Sequence, residues 1–178
     1  MALVYSEYVK SNAVAFINKV ISIANTLQFD PNFLMIVMYA ESRIKPDAYN
    51  PNGGASGLIQ FMPATAKWLG TTTAALRAMS NVQQLDYVLK YFKSLGATGR
   101  VKSVYDLYLL TFFPIALGKP DSWILESKDL SAYTIAVNNK IIDLNSDKKI
   151  TVGEFKQYVD KYLKKKASLY LQKQLELA

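Results

Sequence analysis

The stretch Asp30-Pro31-Asn32-Phe33-Leu34-Met35-Ile36-Val37-Met38-Tyr39-Ala40-Glu41-Ser42-Arg43 decides the fold class. Asp30 followed by Pro31 is an N-cap and first-turn pair: the aspartate oxygen accepts from an orphan first-turn N–H, and proline has no N–H to lose. The run from Phe33 to Ala40 is apolar almost throughout, and a helix with no polar face belongs at the centre of a domain. It ends at Glu41-Ser42-Arg43, ahead of a turn-rich stretch from Pro46 to Ser56. Upstream, Ser6 reads as the cap of a helix whose Phe16, Ile17, Val20, Ile21 and Ala24 recur at three- and four-residue spacing. Downstream, the sequence predicts helices over 63–69, 81–95 and 103–117, then an irregular stretch over 119–130. A last helical region starts near Ser131, breaks at Asp143 and resumes from Val152 towards the C-terminus. No sustained period-2 pattern and no internal repeat is present, so the expected class is all-α.

Composition narrows the chemistry further. A chain of 178 residues, 51% apolar and 20% charged, suits one globular domain with a small appendage. It contains no histidine and no cysteine. That excludes a Ser-His-Asp triad, a thiol nucleophile, a His or Cys zinc site and a disulfide, leaving Asp, Glu, Lys and Tyr for acid–base work. Any metal must be a hard cation held by oxygen. The net charge of +7 favours an anionic partner, and residues 155–178 alone hold six lysines against two acids, read as the solvated face of a helix. No recognised nucleic-acid-binding pattern accompanies the charge, so no nucleic-acid partner is expected. No stretch approaches the roughly 18 uninterrupted apolar residues of a membrane span, and Met1-Ala-Leu-Val-Tyr-Ser-Glu7 lacks a basic leader, so neither a span nor a standard signal peptide is expected.

One residue breaks the pattern of the central helix. Positions 34, 37, 38 and 41 share a face and read Leu, Val, Met, Glu. Glu41 also falls at the helix C-terminus, where the backbone dipole is negative. Apolar neighbours and a negative helix end both disfavour the ionised carboxylate, and a proton retained near neutral pH is what a general acid needs.

Glu41-Ser42, then Pro46, Ala48 and Asn50, lead into Gly54-Ala-Ser-Gly-Leu-Ile-Gln-Phe-Met-Pro-Ala-Thr-Ala66. This arrangement resembles the lytic transglycosylases of the lysozyme superfamily, which carry Glu-Ser, a short Pro- and Ala-bearing loop and then Gly-Leu-Met-Gln-Ile-Met-Pro-x-Thr-Ala. Ile59 and Phe61 are the conservative departures across about 30 positions. The resemblance implies a lysozyme-like helical domain over residues 1–130, with Glu41 as the single catalytic acid/base and Ser42 helping to orient it. It also implies that Gln60 and Met62 line the sugar cleft. Gln60 has both a donor and an acceptor for sugar hydroxyls or an N-acetyl group. Tyr49, Phe61 and Trp68 are aromatic candidates for stacking on sugar faces, with core packing the better expectation for Trp68. Further along, the family shows Ala-Tyr-Asn-x-Gly, whose Tyr faces the catalytic Glu. The comparable stretch, Leu109-Leu-Thr-Phe-Phe-Pro-Ile-Ala-Leu-Gly118, has neither Tyr nor Asn, which leaves Phe112, Phe113, Tyr105, Tyr108 and Tyr133 open as occupants of that place.

Residues 131–178 contain a second pattern. Asp143-Leu-Asn145-Ser-Asp147-Lys-Lys149-Ile-Thr151-Val-Gly-Glu154 follows the twelve-residue EF-hand calcium loop. Asp143, Asn145, Asp147, Thr151 and Glu154 fall at positions 1, 3, 5, 9 and 12, and Lys149 supplies a backbone carbonyl at position 7. Lys148 stands at position 6, where glycine is usual. A structural Ca2+, clamping the C-terminal helix to the catalytic body, is therefore expected.

The resemblance implies cleavage of the β-1,4 bond between N-acetylmuramic acid and N-acetylglucosamine in peptidoglycan, with 1,6-anhydro-muramyl products. The partners it implies are peptidoglycan glycan strands and, since divergent leaderless members look like phage-encoded ones, other virion or tail proteins. The setting is then the bacterial cell wall or periplasm, reached from a virion or by release from a phage. Two alternatives stay open: a muramidase that uses water, and a non-catalytic virion or wall-binding module.

Overall fold

A computed structural model of the chain describes residues 2–163. The lysine-rich segment beyond them, including most of the expected basic helix face, lies outside the described residues. Among the described residues there are eight α-helices and no strand, only isolated β-bridges, so the all-α expectation holds. The described residues divide into two compact units, the first ending at Leu107 and the second beginning at Tyr108.

The first unit contains α1 (Ala13–Leu27), α2 (Pro31–Ser42), α3 (Pro63–Trp68), α4 (Thr73–Ala78) and α5 (Asn81–Ser94). Asp30 caps α2 as its sequence predicts, its carboxylate accepting from the Asn32 N–H at 2.8 Å. Residues 34–38 are all nearly or fully buried, and α1 packs on both α2 and α5. Phe16, Val20, Ile23 and Leu27 of α1 meet this core together with Leu85, Val88 and Phe92 of α5. Burying each such side chain is worth roughly 1.5–3 kcal/mol, so this contact contributes substantially to the unit's stability.

Local differences from the expected boundaries have identifiable causes. Ser6 begins a separate 3-10 turn (Ser6–Tyr8) instead of capping α1. The ring of Tyr5 stacks on Tyr39 of α2 at 3.9 Å, and the Val4 N–H donates to Asn32 Oδ1 at 2.9 Å. The first residues are thus fixed across α2 before α1 starts. The unforeseen helix α4 is capped by Thr72, whose hydroxyl accepts from the Ala75 N–H at 3.0 Å. The helix α6 (Val104–Phe112) stops short of 117 because Pro114 cannot donate, and a 3-10 turn (Pro114–Ala116) follows.

The division between the units falls inside α6, whereas the sequence reading drew its functional boundary at 130/131. The second unit gathers residues from both sides of that boundary. Tyr108 and Phe112 pack their rings on Phe155 at 5.4 and 5.2 Å. Residues 123–125 pair antiparallel with 150–152, through Leu125 N–H to Ile150 O at 2.8 Å and Val152 N–H to Trp123 O at 2.9 Å. Among the described residues two helices belong wholly to this unit, α7 (Ala132–Asn138) and α8 (Val152–Leu163). Among the described residues no single helix is long and apolar enough to cross a membrane.

Candidate active site

Glu41 occupies the last turn of α2. The three residues that share its face, Leu34, Val37 and Met38, are fully buried, whereas Glu41 itself is half-buried. The apolar stripe therefore surfaces at one carboxylate. Immediately after it the chain turns sharply: Arg43 and Ile44 are both left-handed, at φ 58° and 59°. The Ile44 N–H closes back on Met38 O at 3.2 Å, and the Ile44 side chain is 3% exposed.

Ser42 joins this helix end to the second sequence block. Its hydroxyl lies 3.0 Å from Met38 O and 2.9 Å from Leu58 O, so the proton is shared between a carbonyl of its own helix and one of the facing loop. That loop, residues 48–61, is folded back on itself. Gly57 N–H donates to Ala48 O at 2.8 Å, and Ser56 and Phe61 exchange backbone bonds at 3.0 and 2.8 Å. Gly57 has φ +81°, and a Cβ there would sit 2.3 Å from the side-chain oxygen of Gln84, so only glycine fits.

Gln84, fully buried on α5, holds three separate segments. Its amide donates to Pro46 O at 2.9 Å and to Leu76 O at 2.8 Å, and its oxygen accepts from the Leu58 N–H. The sequence reading assigned this residue no role. The available signal was its position on the stripe Asn81, Gln84, Val88, Tyr91, where a polar group on an apolar face needs partners.

Tyr91, on the same stripe, is the second residue missed. It is 8% exposed, and its phenol is pushed up to about 12, first by burial and then by the negative charge of Glu41 nearby. The phenol therefore keeps its proton at any physiological pH, within electrostatic reach of the Glu41 carboxylate. Among the tyrosines read as open candidates, Tyr108 packs on Phe155 in the other unit and Tyr133 is 61% exposed.

The remaining expected site residues fall into three situations. Phe61 is 2% exposed, with its ring edge-on to Tyr91 at 6.0 Å, so it supports Tyr91 and has no free face for a sugar. Gln60 is half-buried in a left-handed conformation (φ 53°), with its amide donating to Gly57 O at 3.1 Å. Tyr49 and Met62 are exposed, at 55% and 48%. The guanidinium of Arg77 lies 4.5 Å over the Tyr49 ring and also donates to the Ser56 hydroxyl at 2.6 Å. Trp68 departs from its core expectation: Ala66 and Leu69 are the buried residues of that segment, and Trp68 is 57% exposed.

The calcium-loop residues Asp143, Asn145, Asp147, Lys149, Thr151 and Glu154 lie in the second unit, ahead of and at the start of α8. Among the described residues no three acidic side chains are already gathered as a metal cluster.

Residues 18–95 match the family model described as the transglycosylase SLT domain. The curated proteins and the solved structures yield no match.

Proposed function

We propose, from the match of residues 18–95 to the transglycosylase SLT domain, that this region is a lysozyme-like domain of a peptidoglycan lytic transglycosylase and that Glu41 is the acid/base of its glycan-cleaving reaction. The observation that carries this reading is the single half-buried carboxylate at the surfacing end of a buried apolar helix, beside a phenol that remains protonated.

In its protonated form Glu41 donates to the glycosidic oxygen between N-acetylmuramic acid and N-acetylglucosamine as the C1–O bond breaks. The carboxylate then takes the proton from the muramyl 6-hydroxyl while that oxygen bonds to C1. The ring closes as a 1,6-anhydro sugar, and Glu41 returns to its starting state. No water is consumed and no second carboxylate is required, because the nucleophile belongs to the substrate. Tyr91 acts as a positioning residue, its O–H available to a carboxylate oxygen of Glu41. Ser42 fixes the helix end, and Gln84 fixes the loop that bears Gln60 and leads into Met62. The net charge of +7 favours approach to the anionic wall.

Glu41→Gln keeps the shape and removes the transferable proton. Zymograms and turbidity assays on purified peptidoglycan should show a loss of about 10^2–10^4-fold, the usual worth of a positioned acid–base group. Mass spectrometry of wild-type digests should show muramyl ends one water lighter than hydrolysis gives. Hydrated ends would replace the transglycosylase by a muramidase. Equal wall-degrading activity in both proteins, or none in either, would remove Glu41 from catalysis.

A further inference from the structure

Two polar atoms of the second unit are buried without a hydrogen-bond partner: Asp143 Oδ1 and Glu154 Oε1. Each residue is 8% exposed. A carboxylate oxygen removed from water and left unpaired is costly, by several kcal/mol when charged, and a bound cation would relieve that cost for both of these oxygens at once. They stand at the first and last positions of a segment with the spacing of a calcium loop. We infer that residues 143–154 bind a single divalent hard cation of calcium's size, with Asp143 Oδ1 and Glu154 Oε1 as its buried anionic ligands.

The partner oxygen of each carboxylate is already occupied, which aims the orphan. Asp143 Oδ2 accepts from the Lys148 N–H at 3.2 Å. Glu154 Oε2 accepts from the Thr151 N–H and hydroxyl, both at 2.9 Å, while the Thr151 hydroxyl accepts from the Glu154 N–H at 3.1 Å. This reciprocal cap starts α8 and holds the Glu154 side chain inward.

The glycine missing from position 6 does not prevent the loop from forming. Lys148 adopts φ +69°, the left-handed conformation that glycine would supply, at a penalty on the order of 1 kcal/mol. Ile150, between the seventh and ninth positions, is fully buried, and its carbonyl accepts from the Leu125 N–H. Among the described residues the loop is thus braced by residues 123–125.

The set is completed by oxygens nearer the surface: the Lys149 carbonyl, Asn145 Oδ1 and the Asp147 carboxylate. Asp147 is exposed and at present accepts from the Lys149 N–H at 2.9 Å and the Asn145 amide at 3.3 Å. Asn145 Oδ1 accepts from the Asp147 N–H at 2.8 Å. Cation binding draws Asp147 inward from these turn bonds, which accounts for the absence of a ready-made cluster of three carboxylates among the described residues.

The full chain, stripped with a chelator and then titrated with CaCl2 or MgCl2, tests this. Isothermal titration should give one calcium site, and calcium at about a hundred times its dissociation constant should raise Tm by roughly 5–10 °C. Magnesium should do markedly less, since it resists giving up its water shell. Glu154→Gln should abolish the shift. Should that variant fail to fold, Asp147→Asn, at an exposed position, should weaken calcium binding at least tenfold with the fold intact. No calcium heat or Tm shift in the wild type would overturn the inference, as would an equal shift in wild type and both variants.

Discussion

Replacing Gln84 by methionine puts a number on the architecture around Glu41. Methionine matches the volume and apolar character of the surrounding stripe but breaks three bonds, to Pro46 O, Leu76 O and the Leu58 N–H. All three belong to loops or helix ends that meet at a residue with no solvent exposure. A buried donor or acceptor left unpaired costs about 1–3 kcal/mol, and removing the amide itself recovers part of its own burial penalty. The expected net loss is roughly 3–5 kcal/mol. For a chain of 150–250 residues that lowers Tm by about 10 °C, at roughly 2–4 °C per kcal/mol. Urea unfolding at fixed pH, compared at constant m, measures it directly. The same geometry predicts coupling: Gly57→Ala, whose new methyl would collide with the Gln84 oxygen, should be less damaging on a Gln84→Ala background than on the wild type. A Gln84→Met loss below about 1 kcal/mol, or strict additivity of the alanine pair, would show that this amide does not hold the three segments together.

Tyr91→Phe should remove an alkaline dependence of stability. The phenol titrates near 10 when unfolded and about 12 in the folded protein, so the fold favours the protonated form. That contribution is complete below pH 10 and is lost as pH rises through 12, an effect of roughly 2–3 kcal/mol. Denaturation curves at pH 9 and pH 11.5 should diverge for the wild type more than for the variant; parallel behaviour would refute the assignment. Glu41→Gln should also lower the Tyr91 midpoint in ultraviolet titration while leaving it above 10, since burial is the larger cause. Ser42→Ala should cost about 1–2 kcal/mol by unpairing the Leu58 carbonyl, and should lower kcat more than it raises KM, as misplacement of a catalytic helix end does. An unchanged kcat would confine Ser42 to stability.

What could be read from sequence was local or periodic. Asp30-Pro31 and the apolar run to Ala40 specify a capped, buried helix by their chemistry alone, and Glu41 is visible as the residue out of keeping with its stripe. The contents of α5 were harder to distinguish. Gln83 and Gln84 are adjacent and chemically identical, yet one closes a capping box with Ser80 at the surface while the other binds three segments in the interior. Only the tertiary fold separates them. Tyr91 has the spacing of an ordinary core aromatic, and its nearness to Glu41 is a product of the tertiary fold, between residues fifty positions apart. Trp68 shows the opposite failure, since hydrophobicity placed it inside and α3 is too short to turn more than one narrow face inward.

The corner formed by Arg43 and Ile44 restricts how this site can be transplanted. A β-branched residue in the left-handed region is disfavoured by roughly 1–2 kcal/mol, and Ile44 is kept there by its own side chain, which is almost wholly enclosed. Glycine would relax the main chain and leave a hole; any other large apolar residue would fill the hole and keep the distortion. No single replacement meets both demands. Grafting the acidic residue onto a different scaffold therefore means carrying this two-residue bend and its socket along with it.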